Sequence, residues 1–165
     1  MTAQSRETQP SVQEQRRSAR LAAVQALYQM ELTGEDAGTV AQEFIDHRFS
    51  DSPARPEENL FRAIVDGVPR RQVAIDRAVA AALNENWRLQ RIDSIVRAVL
   101  RGAAWELVDR PDIPARVVID EYIEIARAFS DEEHCAFVNA VLDRIAHAER
   151  PAEFAGVPHH GDAAG

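Results

Sequence analysis

The sequence predicts an all-α fold, a bundle of about seven helices. Three observations carry that expectation. Apolar residues recur at the helical period in separate stripes. No segment alternates with the period of two that a half-buried strand requires. Helix starts and stops are marked by capping residues, glycine and proline at intervals that suit short connections. Ile92, Ile95, Val96, Val99, Leu100, Ala103 and Leu107 form one stripe. Val118, Tyr122, Ile125, Ala126 and Phe129 form a second, and Phe137, Val138, Val141, Leu142 and Ile145 a third. Three such faces bury one another, which is what makes a bundle core.

In chain order, residues 1–12 are polar and read as a disordered arm. A first helix spans about 12–32 and stops before Thr33-Gly34. A short second helix covers 39–49, with Thr39 as its cap. The prolines of SDSPARP make 50–56 a loop. Residues 57–83 are helical with a break near Gly67 and Pro69, and 84–91 form a connection. Strong helices follow over 92–108 and from Pro114 to Phe129. Ser130 and Glu133 read as a capping box opening the last helix, which ends near His147. The domain thus occupies 13–148, and 149–165 reads as a flexible tail.

With 165 residues, 45% of them hydrophobic, the chain buries enough surface to fold without a metal or a disulfide. Its one cysteine, Cys135, excludes an internal disulfide. No apolar run approaches the roughly 20 residues that cross a bilayer, and the N-terminus lacks the apolar stretch of a signal peptide, so a cytoplasmic protein without a membrane role is expected. The net charge of -8 argues against a broadly basic nucleic-acid binder, but its distribution is uneven. Residues 16–30 hold three arginines and no acid, whereas 131–165 hold seven acids and two arginines. One end can face phosphate while the other repels it.

No catalytic constellation stands out, and no cofactor is implied. His134 and Cys135 are neighbours on one helix and point about 100° apart. His159 and His160 sit in the tail, and there is no phosphate-binding glycine loop. The first helix says more. Arg16, Arg17 and Arg20 fall in the same angular sector as Val24 and Leu27, which should face the core. Either their stems run along the core edge, or the helix overhangs the body as a cationic prong suited to phosphate. On the helix from Ile92, Arg97, Arg101 and Trp105 recur every four residues off the apolar stripe. Arginine beside an aromatic can stack a base or a partner, and the alternative is second-layer packing. Gly102, inside that helix, points to a close neighbouring helix.

These segments resemble one known family. RRSARLAAVQALYQMEL (16–32) resembles the opening helix of NusB proteins. DGV, Ile75-Asp76 and Trp87-Arg88-Leu89 follow in the family's order. IDSIVRAVLRGAAWEL (92–107), IPARVVIDEYIEIARAFS (113–130) and HCAFVNAVLDRIA (134–146) complete a likeness that covers 16–146. The resemblance implies a NusB-like bundle of two packed helical subdomains that is not an enzyme. It implies transcription antitermination: binding to single-stranded boxA-type RNA of nascent ribosomal RNA transcripts, as a heterodimer with the ribosomal protein NusE, within an RNA polymerase antitermination complex. A homodimer is a further assembly that the family allows. By position, Arg16 and Arg17 match a basic arm at the RNA surface, Arg20 continues it, and Tyr28 and Phe137 match aromatic positions near RNA and partner. Glu133 matches an acidic position on the partner face, to which the Arg101–Trp105 feature is added. The chain departs from the family at Trp105, where tyrosine is usual, Asp120, where asparagine is common, Tyr122, where a small residue is common, and Ala136, where a basic residue occurs. The competing readings are the RNA-binding domain carried by ribosomal RNA cytosine methyltransferases, a helical interaction or dimerisation module without RNA, and a ligand-sensing regulator. Burial of Arg16 and Arg17 in a dimer would favour the second, and an enclosed apolar pocket the third.

Overall fold

The computed structural model describes residues 8–84 and 86–155. Among them every regular element is helical. Eight α-helices run in order: α1 (Val12–Thr33), α2 (Ala37–His47), α3 (Glu58–Arg70), α4 (Gln72–Ala82), α5 (Ser94–Asp109), α6 (Ala115–Phe129), α7 (Glu132–Glu149) and α8 (Pro151–Phe154). Short 3-10 turns at Phe49–Asp51 and Leu89–Arg91 lie in the connections before α3 and α5. The chain divides into two units near Pro69, in the last turn of α3.

In the first unit, α1 opens on Ser11, whose hydroxyl accepts from the Glu14 backbone N–H, and closes on Gly34 at φ 74°. That left-handed turn is cheap only for glycine, and it sends the Gly34 N–H back to the Met30 carbonyl. The helix begins at Val12 with a formed cap, so the ordered chain starts inside the expected arm, and residues 1–7 lie outside the described residues. The α2 helix starts two residues before Thr39, after Asp36, so Thr39 is an interior residue and not the cap. Phe61 of α3 holds the unit together: it stacks on Phe44 of α2 at 5.8 Å and meets Phe49 edge-on at 4.8 Å. The helix break expected near Gly67 and Pro69 falls at Arg71, which leaves the helical region between α3 and α4.

The second unit is built around α5, which packs on α4, α6 and α7. From Val96 to Leu107 only Arg101 is not buried. The expected stripes face this core: Val96, Val99, Leu100, Ala103, Leu107, Val118, Tyr122, Ile125, Val138, Val141, Leu142 and Ile145 are buried, while Phe129 is partly exposed at the end of α6. At Gly102 a side chain of α6 packs directly on α5. A Cβ there would lie 3.0 Å from Cε1 of the fully buried Tyr122.

Two expectations are corrected in this unit. The cap of α7 is Asp131, not Ser130: Ser130 is still extended, and the Asp131 carboxylate accepts from the His134 backbone N–H at 2.9 Å. Carboxylate at a helix start also meets the positive end of the helix dipole. The chain from 149 to 155 is not a loose tail. Arg150 is buried and donates to the carbonyls of Leu107 (2.7 Å), Ile113 (2.9 Å), Glu106 (3.1 Å) and Arg110 (2.6 Å). Glu153 pairs with Arg150 at 2.7 Å and accepts from the first N–H of α6, at Ala115. A five-donor guanidinium can satisfy the carbonyls where α5 ends, which is why α8 docks. The rest of the expected tail, 156–165, lies outside the described residues.

Candidate nucleic-acid interface

In the first unit, the opening of α1 is almost bare. Ser11 to Glu14, Arg16 and Arg17 are exposed, and burial begins at Ala19. Two guanidinium groups are therefore presented on a helix end, tied to the unit by the Glu57 N–H, which donates to the Gln15 carbonyl at 3.0 Å. Arg20 is different: it is 3% exposed, in the sector of the buried Val24 and Leu27. The expectation that Arg20 continues a surface prong is corrected, since the prong ends one turn earlier. Tyr28, further along α1, is half-buried.

In the second unit, Glu133 and Phe137 stand four residues apart on α7 and so share one side of that helix. Glu133 is exposed and Phe137 half-buried. The Phe137 ring lies 5.0 Å from Trp87, which is 49% exposed. Beside them His134 Nδ1 is 2.7 Å from Asp131. That hydrogen bond and the Asp131 charge raise the His134 pKa, and the His134 backbone N–H and ring lower that of Asp131. His134 is exposed and Cys135 buried, so the two do not face each other.

Trp105 is buried in the unit and Arg101 partly so. Arg101 makes a two-point ion pair with Asp76 of α4, at 2.9 and 3.1 Å, and Trp105 is 7% exposed. The expectation that they meet a partner directly is corrected by burial and by this pairing. Arg97 belongs to the same face: its guanidinium donates to the carbonyls of Leu89 (3.1 Å) and Ile92 (2.7 Å) and fixes the turn leading into α5. Sequence reasoning passed over the pairing of Trp87 with Phe137. The available signal was an aromatic residue flanked by arginine in a polar connection. Among the described residues no group of three potential metal ligands assembles, and no helix is long and apolar enough to cross a membrane.

The model of the NusB family matches residues 17–147. The chain belongs to the NusB family. The transcription antitermination protein NusB of Maricaulis maris (strain MCS10) is 51% identical over 144 residues, 84% of this chain and 90% of its own. The NusB of Agrobacterium fabrum (strain C58) is 48% identical over 145 residues, 84% of this chain and 88% of its own. Among solved structures, T. maritima NusB superposes with a TM-score of 0.74 at 33% identity, covering 89% of this chain and 99% of that one. A chain in a crystal structure of the antitermination factors NusB and NusE with dsRNA superposes with a TM-score of 0.67 at 25% identity, covering 81% of this chain and 96% of that one. NusB membership thus extends over all seven long helices.

Proposed function

We infer that this chain is a transcription antitermination factor that binds boxA-type RNA of nascent ribosomal RNA transcripts together with the ribosomal protein NusE. The observation that carries this reading is the family match over 17–147, joined to relatives of nearly equal length that are antitermination proteins. The relative solved with NusE and RNA supports both partners. In this reading the chain works by binding and not by catalysis, in the cytoplasm, within an RNA polymerase complex.

The named residues take distinct roles. Arg16 and Arg17 attract phosphate and set register without reading bases. Phe137 offers a ring on which an unpaired base can stack. Glu133, on the same side of α7, and Tyr28, on α1, serve the partner or the RNA edge. Ala136 is exposed where the family carries a basic residue in some members, so RNA affinity without the partner is modest. The partner raises it by positive coupling. Titration calorimetry of purified NusE into the chain is the test. A saturable one-to-one complex is expected, and absence of heat and of complex at micromolar concentrations overturns the heterodimer.

A further inference from the structure

Trp87 is the largest side chain left half open among the described residues of the second unit, and the chain that follows it is anchored. Its backbone N–H donates to the Asn84 carbonyl at 2.9 Å. Leu89, two residues on, is buried, and the Arg97 guanidinium grips the carbonyls of Leu89 and Ile92. The indole lies 5.0 Å from the Phe137 ring at 40°, so one ring covers part of the other while 49% of Trp87 stays exposed. Arg88 and Arg91 are both exposed, and neither forms an ion pair with a described residue. An indole half exposed beside a second ring offers an apolar face to a planar ligand.

We propose that Trp87 is a second base-stacking residue beside Phe137, with Arg88 and Arg91 holding the flanking phosphates of single-stranded RNA. The proposal rests on the RNA-binding reading above and adds a contact that the reading does not use. The chemistry favours RNA over a protein partner. Aromatic faces next to guanidinium groups suit unpaired bases, every one of which has a π-face, and phosphate is an anion that a guanidinium binds at two points. Asp131 and Glu133 on α7, the helix that carries Phe137, are exposed acids, so the rings rather than net charge are expected to set the affinity here.

The two tryptophans of the chain make the test direct. Trp105 is buried, so a change in emission when a short unpaired oligoribonucleotide is added reports Trp87. With the full chain, alone and with NusE, the strand is expected to quench emission, and the quench to vanish in Trp87→Phe. By anisotropy, Trp87→Ala should weaken the strand about tenfold and Trp87→Phe less, since a smaller ring still stacks. Unchanged emission on a strand that binds, with Trp87→Ala and Trp87→Phe both binding as wild type, overturns the proposal and leaves the RNA-binding reading intact. Weakening of NusE binding alone, with RNA affinity unchanged, assigns the indole to a protein interface and overturns it as well. If the wild-type chain binds no RNA even with NusE, the functional reading fails and the proposal with it.

Discussion

Arg16, Arg17 and Arg20 share one helix and one charge, yet they sit in different surroundings. The angular sector seen in the sequence is common to all three, so periodicity alone could not say where along α1 the body begins to cover it. Burial from Ala19 onward draws that line. Two outcomes follow. Arg16→Ala/Arg17→Ala should weaken RNA binding and flatten its salt dependence by about 0.7 in log–log slope for each single-strand phosphate that is no longer neutralised. Arg20→Ala should lower the melting temperature and leave the slope unchanged, because Arg20 is buried. Salt titrations by anisotropy together with thermal melts separate the two. Asp131 and His134 give a pH prediction. His134 has its pKa raised above its ordinary value of about 6.5, so its contribution is complete below that value and is lost as pH rises through the folded one. Asp131 has its pKa lowered, so its contribution is present above about 3.9 and is lost as pH falls. The pair therefore contributes in full between the two ordinary values, about pH 3.9 and about pH 6.5, and loses that contribution as pH rises through the raised His134 value or falls through the lowered Asp131 value. NMR titration of the His134 ring should give a midpoint above the ordinary value, falling toward it in Asp131→Asn; an equal midpoint in both would contradict the pairing.

The elements were legible where periodicity is long and punctuation strong. The helix expected over 92–108 is found at Ser94–Asp109, and the glycine inside it does mark a close approach, that of Tyr122. Caps were harder to place. Thr39 and Ser130 each sit near an aspartate that takes or adjoins the true start, and a one- or two-residue shift leaves the apolar stripe unchanged. The docking of 149–155 was illegible because it depends on Arg150 meeting carbonyls some forty residues earlier in the chain. Arg150→Ala should strand those buried acceptors and destabilise the chain by about 2–4 kcal/mol. Arg150→Lys should not restore the loss, since an ammonium lacks the planar fork. Gly102→Ala should also destabilise, by about 1 kcal/mol net, because contact at 3.0 Å with Tyr122 outweighs the better helix propensity of alanine. Urea unfolding of each variant gives the measurement, and an alanine at 102 that stabilises would show that the α5–α6 approach has room to spare.

For the molecule as a whole, the family and its fold were readable because four helical segments, with shorter pieces between them, keep family-like sequence in order, and the family match spans the same stretch. The candidate site residues were only partly readable. Arg16, Arg17, Glu133 and Phe137 lie at the surface or partly so, whereas Trp105 is buried in the second unit and the part-buried Arg101 is paired with Asp76. Spacing shows that residues share a helix face, but not whether another helix already covers it. If RNA and NusE bind one chain with positive coupling, the factor by which NusE tightens RNA equals the factor by which RNA tightens NusE. Calorimetry with and without saturating strand should return that equality, and unequal factors would mean a third species is present. The most direct test of the antitermination reading is fluorescence anisotropy of a boxA-type single strand, a scrambled strand and a duplex, each with and without NusE. NusE is expected to tighten the boxA-type single strand above the other two, and Arg16→Ala/Arg17→Ala to lose affinity. Equal, weak binding of all three with NusE present would contradict that reading and leave a helical interaction module in its place.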